Sequence, residues 1–192
     1  MEGGRRMDLM EAIYSRRSVR SYTDQPVEKP VVEALIQAAV QAPSALNQQP
    51  WAFAVLQDRK LLEQYSTRVK AHVLKSLKPE SPLYSHREEL ANPDYNVFYG
   101  AGTLIIVCAK PEGVHAEEDC SLAAQNLMLA AHATGLGTCP IGFAQPWLNL
   151  ARTKRGLSIP PNYTVVFPVI VGYPKGGAPP VARREPEIVA WR

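Results

Sequence analysis

The sequence predicts one domain in which helices and strands alternate, of the α/β or α+β class. Its length of 192 residues is typical of a single domain. Hydrophobic residues make up 46% and charged residues 20% of the chain, close to soluble globular averages, which excludes disorder and fibrous repeats. Amphipathic stretches alternate with short apolar runs, without an internal repeat or a linker. We therefore expect residues 1–192 to form one domain, with residues 1–7 flexible.

The first elements are two helices and a strand. A short helix over 7–14 leads into a basic cluster, because its apolar residues recur at helical spacing. A second helix covers 30–41, where Pro30 stands at the first helical position. Its predicted apolar face consists of Val31, Leu35, Ala38 and Ala39. The short apolar and aromatic run 51–56 then indicates a strand.

A long amphipathic helix and a long loop follow. Asp58 is a good N-cap for a helix over 59–77, whose apolar residues recur every four positions while charged residues occupy the other faces. Residues 78–97 contain prolines and mixed charge with little periodicity, which predicts a loop. Ordered loops of this length are usually lids or binding loops, so we expect it to cover a site. The apolar run 104–109 is typical of a buried strand.

The last elements are an apolar helix and one or two strands. The helix over 119–134 ends at Gly135, a typical residue just past a helix C-terminus. Its apolar residues fall on every face, so its own domain or a partner subunit must cover it all round. A strand over 165–172 contains Pro168, which favours an edge position or a bulge. The tail 187–191 predicts one more strand.

Charge and cysteine usage exclude several functions. The net charge of +3 suits anionic small molecules and is too small for a dedicated nucleic-acid binder. An odd number of widely spaced cysteines argues against disulfides and structural zinc, and the histidines lack metal-ligand spacing. No run approaches about 18 apolar residues, and no apolar stretch follows the N-terminal arginines. We expect a cytoplasmic protein with no metal, no nucleic acid and no membrane partner.

Neither common nucleotide-binding motif is present. Gly135 and Gly137 begin a GxG pattern, but Pro140 stands where the third glycine of GxGxxG would be, and a helix precedes it instead of a strand. Gly137 and Gly142 have the glycine spacing of a P-loop, but Phe143 replaces the required lysine.

Three short segments carry candidate chemistry. The cluster Arg16–Arg20 can bind a phosphate or carboxylate through charge-assisted hydrogen bonds, or it is a solvated basic turn. The loop 43–51 is rich in hydroxyl and amide groups, which suit a planar heterocycle, although a plain turn has the same composition. The turn 139–143 either points backbone N–H groups at a ligand or only connects two elements. Cys139 within it is interpreted as a buried core residue rather than a nucleophile.

Together and in order, these segments resemble the nitroreductase family of FMN-dependent oxidoreductases. No single motif is decisive, and the specificity lies in the order of five motifs from about residue 8 to the C-terminus. They are Arg16–Arg20, Pro43–Trp51, the segment 119–137, Pro140–Gly142, and Val171–Pro174 followed by Arg183-Arg184.

The resemblance implies an α+β fold: a central, mostly antiparallel sheet wrapped by helices, in an intertwined homodimer with two FMN molecules at the interface. The helix over 119–134 would then be the central, dimer-buried helix. The tail 187–191 would extend over the partner subunit.

The resemblance also implies a cofactor site. The phosphate, ribityl chain and pyrimidine edge of FMN would be held by the residues at the matching positions, Arg16, Arg17, Ser18 and Arg20. Arg183 would complete the phosphate site, with Arg184 as the alternative. The other subunit would contribute Pro43, Ser44, Ala45 and Asn47. The isoalloxazine ring would lie under Pro140, Ile141 and Gly142, with the backbone N–H of Gly142 facing N5.

The activity implied is a ping-pong reaction in which NAD(P)H reduces FMN and a small electron-poor acceptor, such as a nitroaromatic or a quinone, is then reduced in the same pocket. Hydride transfer depends on stacking and needs no side chain as acid, base or nucleophile, so no catalytic side chain is predicted. Two alternatives stay open: a protein that stores flavin or senses redox state, and a specialised relative such as a dehalogenase or flavin-cleaving enzyme.

Two segments of this chain that differ from the family pattern, or vary within the family, bear on the acceptor pocket. Many family members have Glu after the Pro-Ile pair, whereas this chain has Gly142 and Phe143, which open space and add an apolar wall. The loop 78–97 is where members differ most. We expect it to shape the acceptor pocket.

Overall fold

A computed structural model describes residues 7–192 and contains four strands and seven helices in them. The strands are β1 (Trp51–Leu56), β2 (Thr103–Ala109), β3 (Gly137–Pro140) and β4 (Thr164–Gly172). The helices are α1 (Leu9–Ser15), α2 (Lys29–Ala39), α3 (Arg59–Ser76), α4 (Arg87–Ala91), α5 (Ala116–Ala133), α6 (Gln145–Leu148) and α7 (Ala151–Gly156). Of residues 1–7, predicted to be flexible, all but Met7 lie outside the described residues.

The strands form one antiparallel sheet in the order β1-β2-β4-β3, which confirms the α+β class. All positions of β2 are buried, as its continuous apolar run predicts. β3 was not predicted, because the sequence indicates only a turn over 139–143. A four-residue strand that holds a glycine and a proline has no alternation from which it could be recognised.

The proline of β4 lies in an inner strand, so the predicted edge position is wrong. Pro168 stands opposite Ile106 of β2. Its carbonyl oxygen accepts a hydrogen bond from Ile141 N at 2.9 Å, just beyond the end of β3. The N and O of one residue face the same neighbouring strand, so the missing N–H faces the side on which β3 has ended. The predicted bulge corresponds to a register shift between Val107 and Cys108.

Hydrophobic clusters lie on both faces of the sheet. Because side chains alternate along a strand, Leu104 and Ile106 of β2 enter one cluster, and Ile105 and Val107 enter the other. The first cluster includes the apolar face of α3, as the four-residue repeat predicts, together with α6. The second includes α2 and α5. On α2 the buried residues are Val32, Leu35 and Ala39, so Val32 takes the place predicted for Val31.

α5 is the long helix of the second cluster. It begins at Ala116, three residues before the predicted start, and is followed as predicted by Gly135, whose φ is +82°. Leu136 N donates to Ala131 O at 2.9 Å, the bond of a Schellman cap. Leu122 is 46% exposed, so this chain alone does not cover the helix on every side.

Two predictions about irregular segments need correction. The segment 78–97 is not a plain loop, because it contains a 3-10 turn, Pro82–His86, and helix α4. Leu90 of α4 is buried in the first cluster, which gives the segment its own apolar anchor. The tail 187–191 forms no strand, and its Ile188, Val189 and Trp191 are exposed.

The three cysteines, Cys108, Cys120 and Cys139, are buried and free. Burial raises the pKa of Cys108 to about 11 and that of Cys120 to about 12, so both remain thiols at neutral pH. Among the helices of residues 7–192, none has the length and apolar composition needed to cross a lipid bilayer.

Candidate functional site

The basic cluster after α1 continues into a segment that lies along the edge of the sheet. Val19 N donates to Thr138 O of β3 at 2.9 Å, next to a bridge between Ser18 and Thr138. Tyr22 is buried, and its hydroxyl donates to Val19 O at 2.7 Å. These bonds position Ser18 and Arg20 through the backbone rather than through their own side chains.

Two glycines allow this close approach. A Cβ on Gly137 would lie 2.7 Å from Cγ2 of Val19, and a Cβ on Gly172 would lie 2.7 Å from Cδ1 of Tyr22. Both distances are shorter than ordinary van der Waals contact between carbon atoms. The segment therefore packs against the sheet only because these two positions lack side chains.

Arg16 and Arg17 hold buried guanidinium nitrogens without a hydrogen-bond acceptor. Arg17 Nη1 donates to Tyr14 O and to Arg16 O, both at 2.8 Å, which restrains the Arg17 guanidinium. Arg17 Nε and Arg16 Nη1 are also buried, and neither has a partner among residues 7–192. Buried donors in native proteins are normally paired, so these two nitrogens fit an acceptor from outside the chain.

The charges around Arg16 indicate that this acceptor is an anion. Burial lowers the pKa of Arg16, and the positive charges of Arg183 and Arg17 lower it further. Arginine nevertheless stays protonated in proteins. In the described part of the chain no carboxylate pairs with any of these three arginines. A dianionic phosphate would neutralise their repulsion and accept their unpaired N–H groups.

The charges around Arg16 bear on an alternative that the sequence left open. Arg183 and Arg184 both follow the last strand in the chain. Of the two, only the charge of Arg183 acts on the pKa of Arg16. The structure therefore favours Arg183 over Arg184 as the arginine that joins the cluster.

A cavity of about 530 Å³ lies beside the cluster. This volume is within the range of small-molecule sites, roughly 300–1,000 Å³. Arg20 lines it from the basic segment, with its guanidinium carbon 5.9 Å from the ring centre of Tyr99. Pro140, Ile141 and Gly142 form part of the same wall. The remaining lining residues are Leu83, His86, Glu89, Val97, Cys139 and Phe143.

The cavity wall has two features that bear on the sequence predictions. Gly142 begins a 3-10 turn, Gly142–Ala144, and the first N–H groups of such a turn have no partner within it. A Cβ at Gly142 would meet no atom within 4 Å, which agrees with the space expected there. Burial raises the pKa of Cys139, so it remains a thiol and is a core residue rather than a nucleophile.

The second predicted group of site residues lies on a strained turn. Pro43, Ser44, Ala45 and Asn47 belong to the stretch that connects α2 to β1. Leu46, Asn47 and Gln49 have φ near +50°, a conformation that costs about 1–3 kcal/mol for non-glycine residues. Ala45 N donates to both carboxylate oxygens of Asp119, each at 3.2 Å. Asp119 is buried, so the turn is tied to the first turns of α5.

The two predicted groups lie far apart within one chain. The turn contacts Asp119 near the start of α5, whereas Ser15 Oγ lies 2.7 Å from His132 Nε2 near its end. His132 lies 13 residues after Asp119 on α5, so the two are about 20 Å apart at 1.5 Å per residue. Arg16, Arg20, Arg183 and residues 140–142 thus come together, and the turn 43–47 does not join them in the same chain.

Sequence reasoning missed three groups around this site: Asp119, His86 with Glu89, and Tyr99. Asp119 gave one signal, since it is an acidic residue near the start of an otherwise apolar helix. His86 and Glu89 lie in a segment without periodicity, where no pattern indicates which side chains face a cavity. Residues 7–192 contain no cluster of three His, Cys, Asp or Glu residues that could hold a metal ion.

Comparisons with known proteins identify relatives over most of the chain. Residues 13–173 match the Nitroreductase family. A protein of Archaeoglobus fulgidus, provisionally named NADH dehydrogenase/NAD(P)H nitroreductase, is 32% identical over 88% of this chain and 86% of its own length. Iodotyrosine deiodinase of Drosophila melanogaster is 30% identical over 92% of this chain and 66% of its own length. The crystal structure of a nitroreductase with bound FMN from Bacteroides fragilis is similar with a TM-score of 0.75, 27% identity and 94% coverage of both chains.

Proposed function

Because the chain belongs to the nitroreductase family, we propose that it is an FMN-dependent oxidoreductase. The observation that carries this proposal is the pair of buried, unpartnered nitrogens on Arg16 and Arg17, beside the charge of Arg183. A phosphate supplies the acceptors and the negative charge that this cluster lacks. The relative of known structure that contains FMN supports the identity of the cofactor.

We further propose that FMN binds between two copies of the chain. One FMN cannot contact both predicted groups in one chain, because they lie near opposite ends of α5. A twofold axis that sets two α5 helices antiparallel brings the turn 43–47 of one copy to the arginine cluster of the other. Leu122 on the open side of α5 and the exposed side chains Ile188, Val189 and Trp191 offer apolar surface for this contact.

In this arrangement the chain binds and orients, and it supplies no nucleophile. FMN, when bound, supplies a ring that accepts two electrons and a proton from NAD(P)H and passes them to an electron-poor acceptor such as a nitroaromatic or quinone. Arg16, Arg17, Ser18 and Arg183 hold the phosphate end. Arg20 and the backbone N–H of Gly142 lie at the cavity, where they stabilise negative charge on the ring.

A second candidate follows from the deiodinase relative. Its identity of 30% over 92% of this chain is close to the 32% of the Archaeoglobus fulgidus relative, and it favours reductive removal of halide from an aromatic ring as an alternative activity. The apolar walls of the cavity, among them Leu83, Val97 and Phe143, accommodate a halogenated ring as well as a quinone. Release of iodide from an iodophenol by the reduced protein tests this candidate directly.

The deciding experiment is the visible absorption spectrum of freshly purified protein, before and after anaerobic addition of NADH or NADPH. A flavin spectrum that either nucleotide bleaches supports the proposed oxidoreductase. A flavin spectrum that neither nucleotide bleaches favours storage, sensing or another electron donor. Colourless protein that stays colourless after incubation with FMN would overturn the cofactor assignment, and the arginine cluster would then bind another anion.

A further inference from the structure

His86 occupies a distinctive place in the cavity wall. Its ring packs edge-on against Phe143, with 5.5 Å between the ring centres and 74° between the planes. Its Nδ1 lies 3.1 Å from Glu89 Oε2. Both His86 and Glu89 line the cavity, and their side chains are 48% and 47% exposed. Nε2 of His86 has no hydrogen-bond partner in residues 7–192.

Two other titratable groups of the cavity, Arg20 and Cys139, are poor proton donors. Arg20 does not release its proton in proteins. Burial raises the pKa of Cys139. The hydroxyl of Tyr99 is 3.0 Å from that of Tyr95, and Glu89 faces His86 as an acceptor. Imidazole is the side chain that exchanges a proton in the neutral range, so His86 is the natural proton donor of this wall.

Quinone reduction needs such a donor. The overall reaction is quinone plus NAD(P)H plus H⁺ to hydroquinone plus NAD(P)⁺, and the nicotinamide provides both electrons and one hydrogen. The second hydrogen must come from another source. After uptake of a hydride the acceptor carries a phenolate oxygen, an anion that an imidazolium can both stabilise and protonate.

We propose that His86 is a catalytic residue that donates this second proton to a quinone bound in the cavity. The Nε2–H bond of the imidazolium breaks as the O–H bond of the hydroquinone forms, and solvent then reprotonates the half-exposed ring. Glu89 is a positioning residue, because its carboxylate accepts from Nδ1–H and so leaves Nε2, which has no partner in residues 7–192, as the nitrogen that can donate. This inference rests on the proposed oxidoreductase function, and it assigns a proton source to the same site.

The test measures only the acceptor half of the reaction. FMN-loaded protein is reduced with dithionite and mixed in a stopped-flow instrument with benzoquinone or with ferricyanide, which accepts electrons without protons. His86→Gln should slow reoxidation of the reduced protein by benzoquinone about a hundredfold. This is the lower end of the usual range for general acid catalysis, because water reaches the half-exposed ring and can replace the imidazole as proton donor. The rate of reoxidation by ferricyanide should be unchanged. A general acid loses its proton as pH rises, so the benzoquinone rate of the wild type should fall with rising pH, and this dependence should disappear in His86→Gln.

Two further variants separate chemistry from structure. His72→Gln is the matched control, because His72 lies on α3 outside the cavity, and it should change neither rate. Glu89→Gln should lower the rate of reoxidation by benzoquinone less than His86→Gln does, and this rate should still depend on pH. A readout without turnover is the binding of pentafluorophenolate to the oxidised protein, which should weaken with rising pH in the wild type but not in His86→Gln.

The outcomes separate this inference from the proposed function. Equal slowing with benzoquinone and ferricyanide, or no slowing with either, would overturn the role of His86. If neither NADH nor NADPH reduces the protein, the electron donor assigned under the proposed function is wrong. The dithionite experiment would still test whether His86 donates the proton. A selective loss with benzoquinone supports the proton donor in either case.

Discussion

The two ends of α5 carry the two halves of the proposed FMN site and are organised in opposite ways. At the C-terminal end, Ser18 and Tyr22 each form an isolated backbone bridge, to Thr138 and Pro174, but Arg16 and Arg17 keep unpaired buried donors. At the N-terminal end, the turn is satisfied by Asp119, but its backbone is strained at three residues. The first end therefore has unpaired cationic donors, whereas the second has its hydrogen bond to Asp119 but a strained backbone.

This difference indicates what completes each end. A bound phosphate would pair the free donors and reduce the repulsion within the arginine cluster, so we expect ligand binding to stabilise this end. A strained turn persists only where its surroundings over-determine it, and Asp119 provides one such restraint. Leu46 at the tip of the turn is 84% exposed, so a second copy of the chain is the expected source of further packing there.

The largest expected effect at the arginine cluster is on cofactor affinity. Arg16→Ala should weaken FMN binding by about 1.5–3 kcal/mol, the range for a hydrogen bond to a charged group, which raises Kd more than tenfold. Quenching of FMN fluorescence during titration of the apoprotein measures this. Arg184→Ala is the matched control and should bind FMN like the wild type. Unchanged FMN affinity in Arg16→Ala would contradict the assignment of the phosphate site.

Gly137→Ala tests the rigidity of the same end. Its Cβ would lie within 3 Å of three side-chain atoms of Val19, so the segment must shift away from β3. We expect a loss of about 1–3 kcal/mol in the free energy of unfolding, typical of overpacking, together with weaker FMN binding. Urea denaturation measures the first effect. Gly102→Ala, whose Cβ meets no atom within 4 Å, is the control, and equal stability of both variants would disprove the close approach.

Asp119→Asn tests the restraint at the opposite end. The amide oxygen can still accept from Ala45 N but without a full negative charge, so we expect a loss of about 1 kcal/mol in the free energy of unfolding. The turn should also become more accessible to limited proteolysis. Glu118→Gln removes an exposed charge from the same helical turn and serves as the control. A turn that is equally protected in both variants would show that Asp119 does not hold it.

The smallest effect concerns pH. Burial lowers the pKa of His132, and the charges of Arg16 and Arg17 lower it further below its ordinary 6.5. The unfolded chain therefore binds this proton more readily, so stability is fully present above pH 6.5 and is lost as pH falls through the folded-state pKa. His132→Asn should flatten the decrease in Tm on acidification, while His115→Asn should not. An unchanged Tm profile in His132→Asn would contradict this coupling.

Local patterns in the sequence predicted most elements of the fold. The four-residue repeat predicted the buried face of α3, and Gly135 predicted the end of α5, because both depend on near neighbours in the chain. The failures were β3, the strand expected over 187–191, and the edge position of Pro168. Each depends on which other strand stands alongside, which is a non-local property.

For the site, the sequence by itself determined which functional groups are available, namely clustered guanidiniums that can bind an anion. The order of its motifs also indicated the family. These follow from residue types and spacing alone. Only the tertiary structure showed that the charge of Arg183 acts on Arg16, that the turn 43–47 lies about 20 Å away along α5, and that His86 and Glu89 line the cavity. Such distances arise from packing of segments that are remote in sequence, and no local preference of a residue encodes them.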